Sequence, residues 1–457
     1  MPKLLFGNRT VDMTEGNIRK VIVAFAIPLM LGNLFQQFYN MVDTAVVGQG
    51  VGYRALAAVG ATAPVVQLLM GLAIGMSGGL SVVIAQYFGS GDMSKTRKAV
   101  ANGLYISVVL AAIVTLAGIF MCRPLFELIN TPLDIIDDAV LYATICFAGT
   151  ATTVCYNFQA GIMRALGDSK MPFVFLVIAS LVNVVLDLLF VLVFSWGVAG
   201  VAIATIISQI ISGILCFWYI RKSLPMLQFR PGEWKLDGAL IKEHIKVSLP
   251  MALFASLLSV SFLLLQNTLN TLGSADVAAY TAASKTDTLI YQIMGAFGTT
   301  MSTFVAQNFG KREFNRIREG MRKCMQITIG LSLVSALLIF FFGKYFMVLF
   351  VGGGEQGIID SGTLYMKITS VFYFILGVNF VVRFTLVGLG ETLMPLLIGV
   401  MEIVVRSVSA FLLIKYFGFT GMAFVSPLCW FTSTLFVSIM CPILLRRIER
   451  ENMETKI

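Results

Sequence analysis

Seven stretches of the 457-residue chain, each about twenty residues or longer, carry no charged side chain: 21–42, 55–88, 99–122, 139–163, 247–275, 288–310 and 324–343. A helix rises 1.5 Å per residue, so about 20 apolar residues cross the roughly 30 Å hydrocarbon layer of a bilayer. A soluble core has no use for so many runs of this length. The apolar stretch 171–220 is too long for one crossing, and Ser195-Trp196-Gly197 divides it. Residues 361–442 read as three more crossings, broken near Gly388-Leu389-Gly390-Glu391 and between Lys415 and Gly418. The total is twelve. Only 12% of the residues are charged, against the quarter or more that a soluble surface of this size requires.

The net charge of +9 is distributed as a topology signal, and no nucleic-acid partner is expected. With an inner N-terminus, the inner segments hold Lys3, Arg9, Arg19 and Lys20; Lys95, Arg97 and Lys98; Arg164 and Lys170; six basic residues from Arg221 to Lys246; six from Lys311 to Lys323; and Arg446, Arg447, Arg450 and Lys456. The outer segments hold Arg54, Arg123, Lys344 and Lys415. This bias places both termini in the cytoplasm. Residues 1–20 have no short apolar core, so no cleaved leader is expected.

The chain repeats itself. Ala85-Gln86-Tyr87-Phe88-Gly89 recurs as Ala306-Gln307-Asn308-Phe309-Gly310, and Ile27-Pro28 as Leu249-Pro250. Leu166-Gly167-Asp168-Ser169-Lys170-Met171-Pro172 recurs as Leu389-Gly390-Glu391-Thr392-Leu393-Met394-Pro395, and Gly197 and Gly200 as Gly418 and Gly421. The spacing stays between 221 and 223 residues. Six crossings per copy is an even number, so both copies insert in the same orientation. The expected fold is all-α and polytopic: twelve transmembrane helices in two pseudo-twofold-related six-helix bundles around a central cleft, with lobes 1–228 and 229–457. That architecture suits alternating access.

Ionisable groups inside spans mark function or pairing. Asp43 ends the first apolar run. Asp187 lies mid-span, four residues after Asn183 and on the same helical face. An amide beside a carboxylate suits a hard cation such as Na+, and a buried carboxyl group could equally hold a proton. In the second half Lys285, Asp287 and Lys367 are intramembrane charges, and Glu402 and Arg406 have the i, i+4 spacing of a structural pair. Gln36, Asn40, Asn157, Gln266 and Asn379 are candidates for the substrate cavity. Gly71, Gly75 and Gly79 form a small-residue face for close helix packing. Pro28 inside the first span can act as a hinge. The seven cysteines form no CxxC pair and read as packing residues, while the lone His244 reads as a surface residue. No phosphate-binding GxxxxGK[ST] loop occurs, so ATP-driven transport is not expected. With no catalytic constellation, neither an enzyme nor a bound cofactor is expected beyond a coupling ion.

These features together resemble the multidrug and toxic compound extrusion (MATE) family, in its DinF-like prokaryotic branch. They are the duplication, Val42-Asp43-Thr44 at the end of the first span, the Gln-x-Phe-Gly loop in both halves, Arg164 to Pro172, and Asn183-x-x-x-Asp187. The resemblance implies antiport of H+ or Na+ against cationic or amphipathic toxic compounds. It carries a cation site onto Asp43, Asn183, Asp187 and Thr205, with Asn157 as a further polar position and Pro28 at the bend of the first helix. It also implies a multi-pass protein of the prokaryotic cytoplasmic (inner) membrane, and a monomer is the expected working form. The rival reading is a flippase for a lipid-linked or other amphipathic metabolite. Its phosphates would call for several basic groups in the cleft, and the in-span cations are few.

Overall fold

The computed structural model describes residues 12–128, 131–351 and 355–454. Lys3, Arg9 and Lys456 lie outside the described residues. The chain runs through α1 (Ile18–Gly50), α2 (Tyr53–Gly89), α3 (Met93–Leu128), α4 (Ile136–Ala148), α5 (Thr150–Ala165), α6 (Lys170–Leu188) and α7 (Gly197–Ser223). It continues through α8 (Gly238–Leu269), α9 (Ser274–Gly310), α10 (Phe314–Val351), α11 (Gln356–Val371), α12 (Tyr373–Gly388) and α13 (Leu393–Glu454). Among the described residues there is no strand, as expected where every backbone group must be satisfied without water.

Eight of the described helices are long and apolar enough to cross a membrane, and ten do if the bent pairs α4–α5 and α11–α12 each count once. Two features bring this to the expected twelve. The stretch Leu393–Asn452 spans 60 residues and is broken at Gly418 (φ 56, ψ −138), so it holds two crossings. The 37-residue α9 has the length of a span but a more polar sequence. The repeat is visible in the backbone. The bent pairs turn by 45° and 49° at Gly149 and Phe372, and the breaks between the last two spans of each copy fall on Gly197 (φ 57) and Gly418 (φ 56). A left-handed φ at both turns is the reason glycine recurs there.

The described chain packs as two compact units. One is built on Ile27–Ser256, the other on Leu257–Ile457 with Thr14–Ala26. The repeat boundary at 228/229 is a boundary of sequence, and these units are defined by contact. They differ because α1 and α8 each pass from one unit to the other along their length, close to Pro28 and Pro250 respectively.

Within the first unit the small-residue face of α2 meets the opening turns of α8. A Cβ added at Gly79 would lie 2.3 Å from Ser248 Cα, and one at Gly75 2.6 Å from the Met251 carbonyl oxygen. Gly79→Val therefore forces the two backbones apart. The expected cost is about 1–3 kcal/mol, read as a lower melting temperature of the purified protein, whereas the same change at Gly60, whose Cβ would meet open space, should be silent.

The segment between α7 and α8 is pinned to α3 by a buried ion pair. Arg97 Nε and Nη2 donate to Glu233 Oε2 and Oε1, both at 2.7 Å, and the Arg230 backbone N–H and Ser94 hydroxyl donate to the same carboxylate. The Arg97 guanidinium holds the Glu233 carboxyl down to about 2 from its ordinary 4.5. A carboxyl depressed by folding stabilises fully above its unfolded value and loses that contribution as pH falls through the folded one. Between pH 4.5 and pH 2 the melting temperature should fall less steeply for Glu233→Gln than for the wild type, as read by tryptophan fluorescence. Equal slopes would show that the pair is not a source of acid sensitivity.

His244 corrects one expectation. It is fully buried, with Nε2 3.0 Å from the Ala99 carbonyl oxygen. The basic residues around it in sequence lie on other faces of the same helix, so local polarity misreads its position. Five of the seven cysteines are buried, Cys146 is half-buried and Cys155 exposed.

Candidate functional site

The polar residues of the first unit converge where α1, α4, α6 and α7 meet. Asp43 comes from the second half of α1, after Pro28. Asn183 and Asp187 share one face of α6 and are both fully buried. A π-helical turn, Leu189–Val193, follows directly; such widened turns interrupt the regular ladder and occur often at functional sites. Thr205 faces them from α7.

Asn183 ties the group together. In the amide orientation that satisfies both of its ends, its nitrogen donates to Asp43 Oδ1 at 3.1 Å and to Asp187 Oδ2 at 3.2 Å, and its oxygen accepts from the Thr205 backbone N–H at 3.2 Å. The amide of Asn183 thus bridges the Asp43 and Asp187 carboxyl groups and holds them beside each other. Neither carboxylate has a donor of its own, so the two can stay side by side only with a proton or a cation between them. No N–H or hydroxyl reaches the buried Asp187 Oδ1, which leaves that oxygen open to a proton or a hard cation.

The sequence reading missed Tyr39, which lies beside Asp43 and the Thr205 side chain. The signal was available, since Tyr39 lies four residues before Asp43 on the same face of α1. Tyr142 and Cys146, one turn apart on α4, form a further wall near Asp43. Their contribution is a matter of tertiary packing that no spacing announces.

Among the described residues, the other candidates share no hydrogen bond with this cluster. Asn157 is half-buried on α5 and donates to the Thr153 carbonyl at 2.9 Å. Gln36 and Asn40 are exposed on α1. In the second unit Gln266 donates to Asn270 Oδ1 at 2.9 Å, and buried Asn379 donates to Ser433 and Thr434 at 2.9 and 3.1 Å. Pro28 is buried two residues past the point where α1 changes unit, and it leaves the Ala24 carbonyl without its in-helix donor.

The second copy of the repeat does not reproduce the acidic pair. The spacing of the paired prolines carries Asp43 onto Leu265, and that of Met171-Pro172 and Met394-Pro395 carries Asn183 onto Arg406 and Asp187 onto Ala410. The buried charges of this unit have other partners. Arg383 pairs with Glu402, which overturns the i, i+4 pairing expected between Glu402 and Arg406. Arg406 instead donates to Ser261 Oγ at 2.8 Å and lies over the Phe262 ring. Helical spacing makes a pair possible, but the packing of α12 against α13 brings a closer partner. Asp287 accepts from the Tyr365 and Tyr373 hydroxyls, each at 2.6 Å. Among the described residues no cluster of three or more His, Cys, Asp or Glu could hold a metal ion.

Comparison with known proteins gives this arrangement a family. The MatE family model matches residues 28–189 and again 250–412. The chain belongs to the MatE family. The two MatE matches begin 222 residues apart and end 223 apart, the same spacing as the internal repeat. A probable multidrug resistance protein of Bacillus subtilis, YpnP, is 30% identical over 86% of this chain and 88% of its own. A probable multidrug resistance protein of Thermotoga maritima, NorM, is 26% identical over 90% of this chain and 89% of its own. Among solved structures, a MOP superfamily transporter from Pyrococcus furiosus superposes with a TM-score of 0.90 at 22% identity, covering 97% of this chain and all of that one. The fold is thus that of a multi-pass MatE membrane protein.

Proposed function

We propose that this MatE protein is a proton-coupled antiporter that exports amphipathic, mainly cationic, toxic compounds by alternating access from the prokaryotic cytoplasmic membrane, with both termini inside. The bridging of Asp43 and Asp187 by Asn183 carries the reading, because two carboxyl groups held this close favour sharing one proton, and they lie in the unit whose helix α1 contains Pro28. Multidrug resistance names among its relatives support the substrate class.

The cycle follows from charge. Open to the outside, the pair takes up a proton, and Asn183, Tyr39 and Thr205 hold the carboxyl groups beside each other. With one charge removed, attraction for a cationic substrate falls and it leaves. Open to the inside, loss of the proton restores two negative charges beside each other, which repel and open the cluster to a new cation. Coupling requires only that proton and substrate favour different states of one site. Pro28 is the bend that follows this change, and neither a bound cofactor nor a second subunit is required.

The test uses proteoliposomes loaded with ethidium under imposed gradients. A pH gradient should drive ethidium movement and an equal sodium gradient should not. Transport driven by sodium alone would reject the proton as the coupling ion.

A further inference from the structure

The second unit carries a cation that the pairing described above leaves unused. Ser274, Thr281, Lys285 and Thr288 are all exposed on α9, and their spacings of seven, four and three residues put them on one helical face. The threonine hydroxyls of this stripe donate to carbonyls of their own helix, but a lipid-facing Lys285 would strand an ammonium group in hydrocarbon, so in a membrane-crossing helix this face borders water. An open groove with a volume of about 640 Å³ runs along this face, lined by Asn270, Ser274, Val277, Thr281, Lys285 and Phe350 among others. That volume lies within the range of small-molecule sites.

Lys285 is the one charged side chain of the lining. Among the described residues it takes part in no ion pair. Asp287, two residues on, points to the opposite face and is held by Tyr365 and Tyr373. Asp276, nine residues earlier, is half a turn away around the helix. The polar neighbours are occupied locally: the Thr281 hydroxyl donates to the Val277 carbonyl, and Asn270 Oδ1 accepts from Gln266. The rest of the wall is largely aliphatic and aromatic. An apolar wall around one uncompensated ammonium repels cations and fits an apolar body ending in a carboxylate, sulfonate or phosphate.

We propose that this groove binds the anionic group of amphipathic substrates through Lys285. The proposal rests on the exporter reading and extends its substrate class from amphipathic cations to amphipathic anions and zwitterions.

Two probes separate the claims, taurocholate as an apolar body with a sulfonate and ethidium as a cation, each followed in proteoliposomes under a pH gradient. Wild-type protein should move both saturably. Lys285→Gln should raise the KM for taurocholate about tenfold or more, the loss of one charge-assisted contact, and leave that for ethidium within about twofold. Lys285→Arg should restore taurocholate transport. Ethidium transport without taurocholate transport, or an unchanged taurocholate KM in Lys285→Gln, overturns this proposal and leaves the exporter reading intact. If neither probe moves, the exporter reading fails, and calorimetric binding of taurocholate to the protein in nanodiscs decides the site alone. A Kd at least tenfold weaker in Lys285→Gln supports it, and equal affinities dismiss it.

Discussion

Asp187→Asn should abolish proton-driven export while leaving folded protein in the membrane. The amide nearly matches the carboxyl in volume and keeps an oxygen toward Asn183, so the fully buried position is still filled. It cannot exchange a proton with Asp43. Coupling free energies between two ligands are typically about 1–3 kcal/mol, so losing the coupling should reduce the gradient-driven component of ethidium export by up to about 100-fold. Asp43→Asn should give the same loss by the same route. Tyr39→Phe removes the hydroxyl beside Asp43 without removing the titrating pair, and should shift the pH dependence of transport more than its maximal rate. Proteoliposome flux at several external pH values measures all three. Wild-type flux in both aspartate variants would remove the basis of the mechanism.

The largest loss of stability is expected from Glu402→Gln in the second unit. Arg383 and Glu402 are 7% and 5% exposed, and each neutralises the other. The substitution leaves a guanidinium that cannot give up its charge without its counter-ion in a buried site. Breaking a buried pair from one side typically costs about 3–5 kcal/mol, which is large against the marginal stability of folded proteins. The variant should extract from membranes largely as aggregate by fluorescence-detected gel filtration. The double variant Arg383→Met, Glu402→Met should recover much of the monodisperse peak, since apolar residues of similar volume replace both charges. A Glu402→Gln protein as stable as wild type would mean that the pair is solvated in the membrane and worth little.

How much of this was legible beforehand differs by level. The charge-free runs, the basic bias and the repeat spacing specified a duplicated helical membrane protein, because hydrocarbon permits few ways to hide a backbone and because duplication leaves matched punctuation such as Pro28 with Pro250 and Gly197 with Gly418. Asn183 and Asp187 were legible as a pair for the same kind of reason, since helical geometry alone fixes the spacing of residues on one face. Contacts between helices have no such local rule. Tyr39 and Cys146 joined the acidic cluster, His244 turned inward against Ala99, and Glu402 found Arg383 in place of Arg406, all through the packing of elements far apart in the chain. Sequence therefore determined which helices exist, where they bend and which polar groups share a face. Only the tertiary structure decided which of those groups meet, because a buried charge takes its partner from whichever neighbouring helix brings one near.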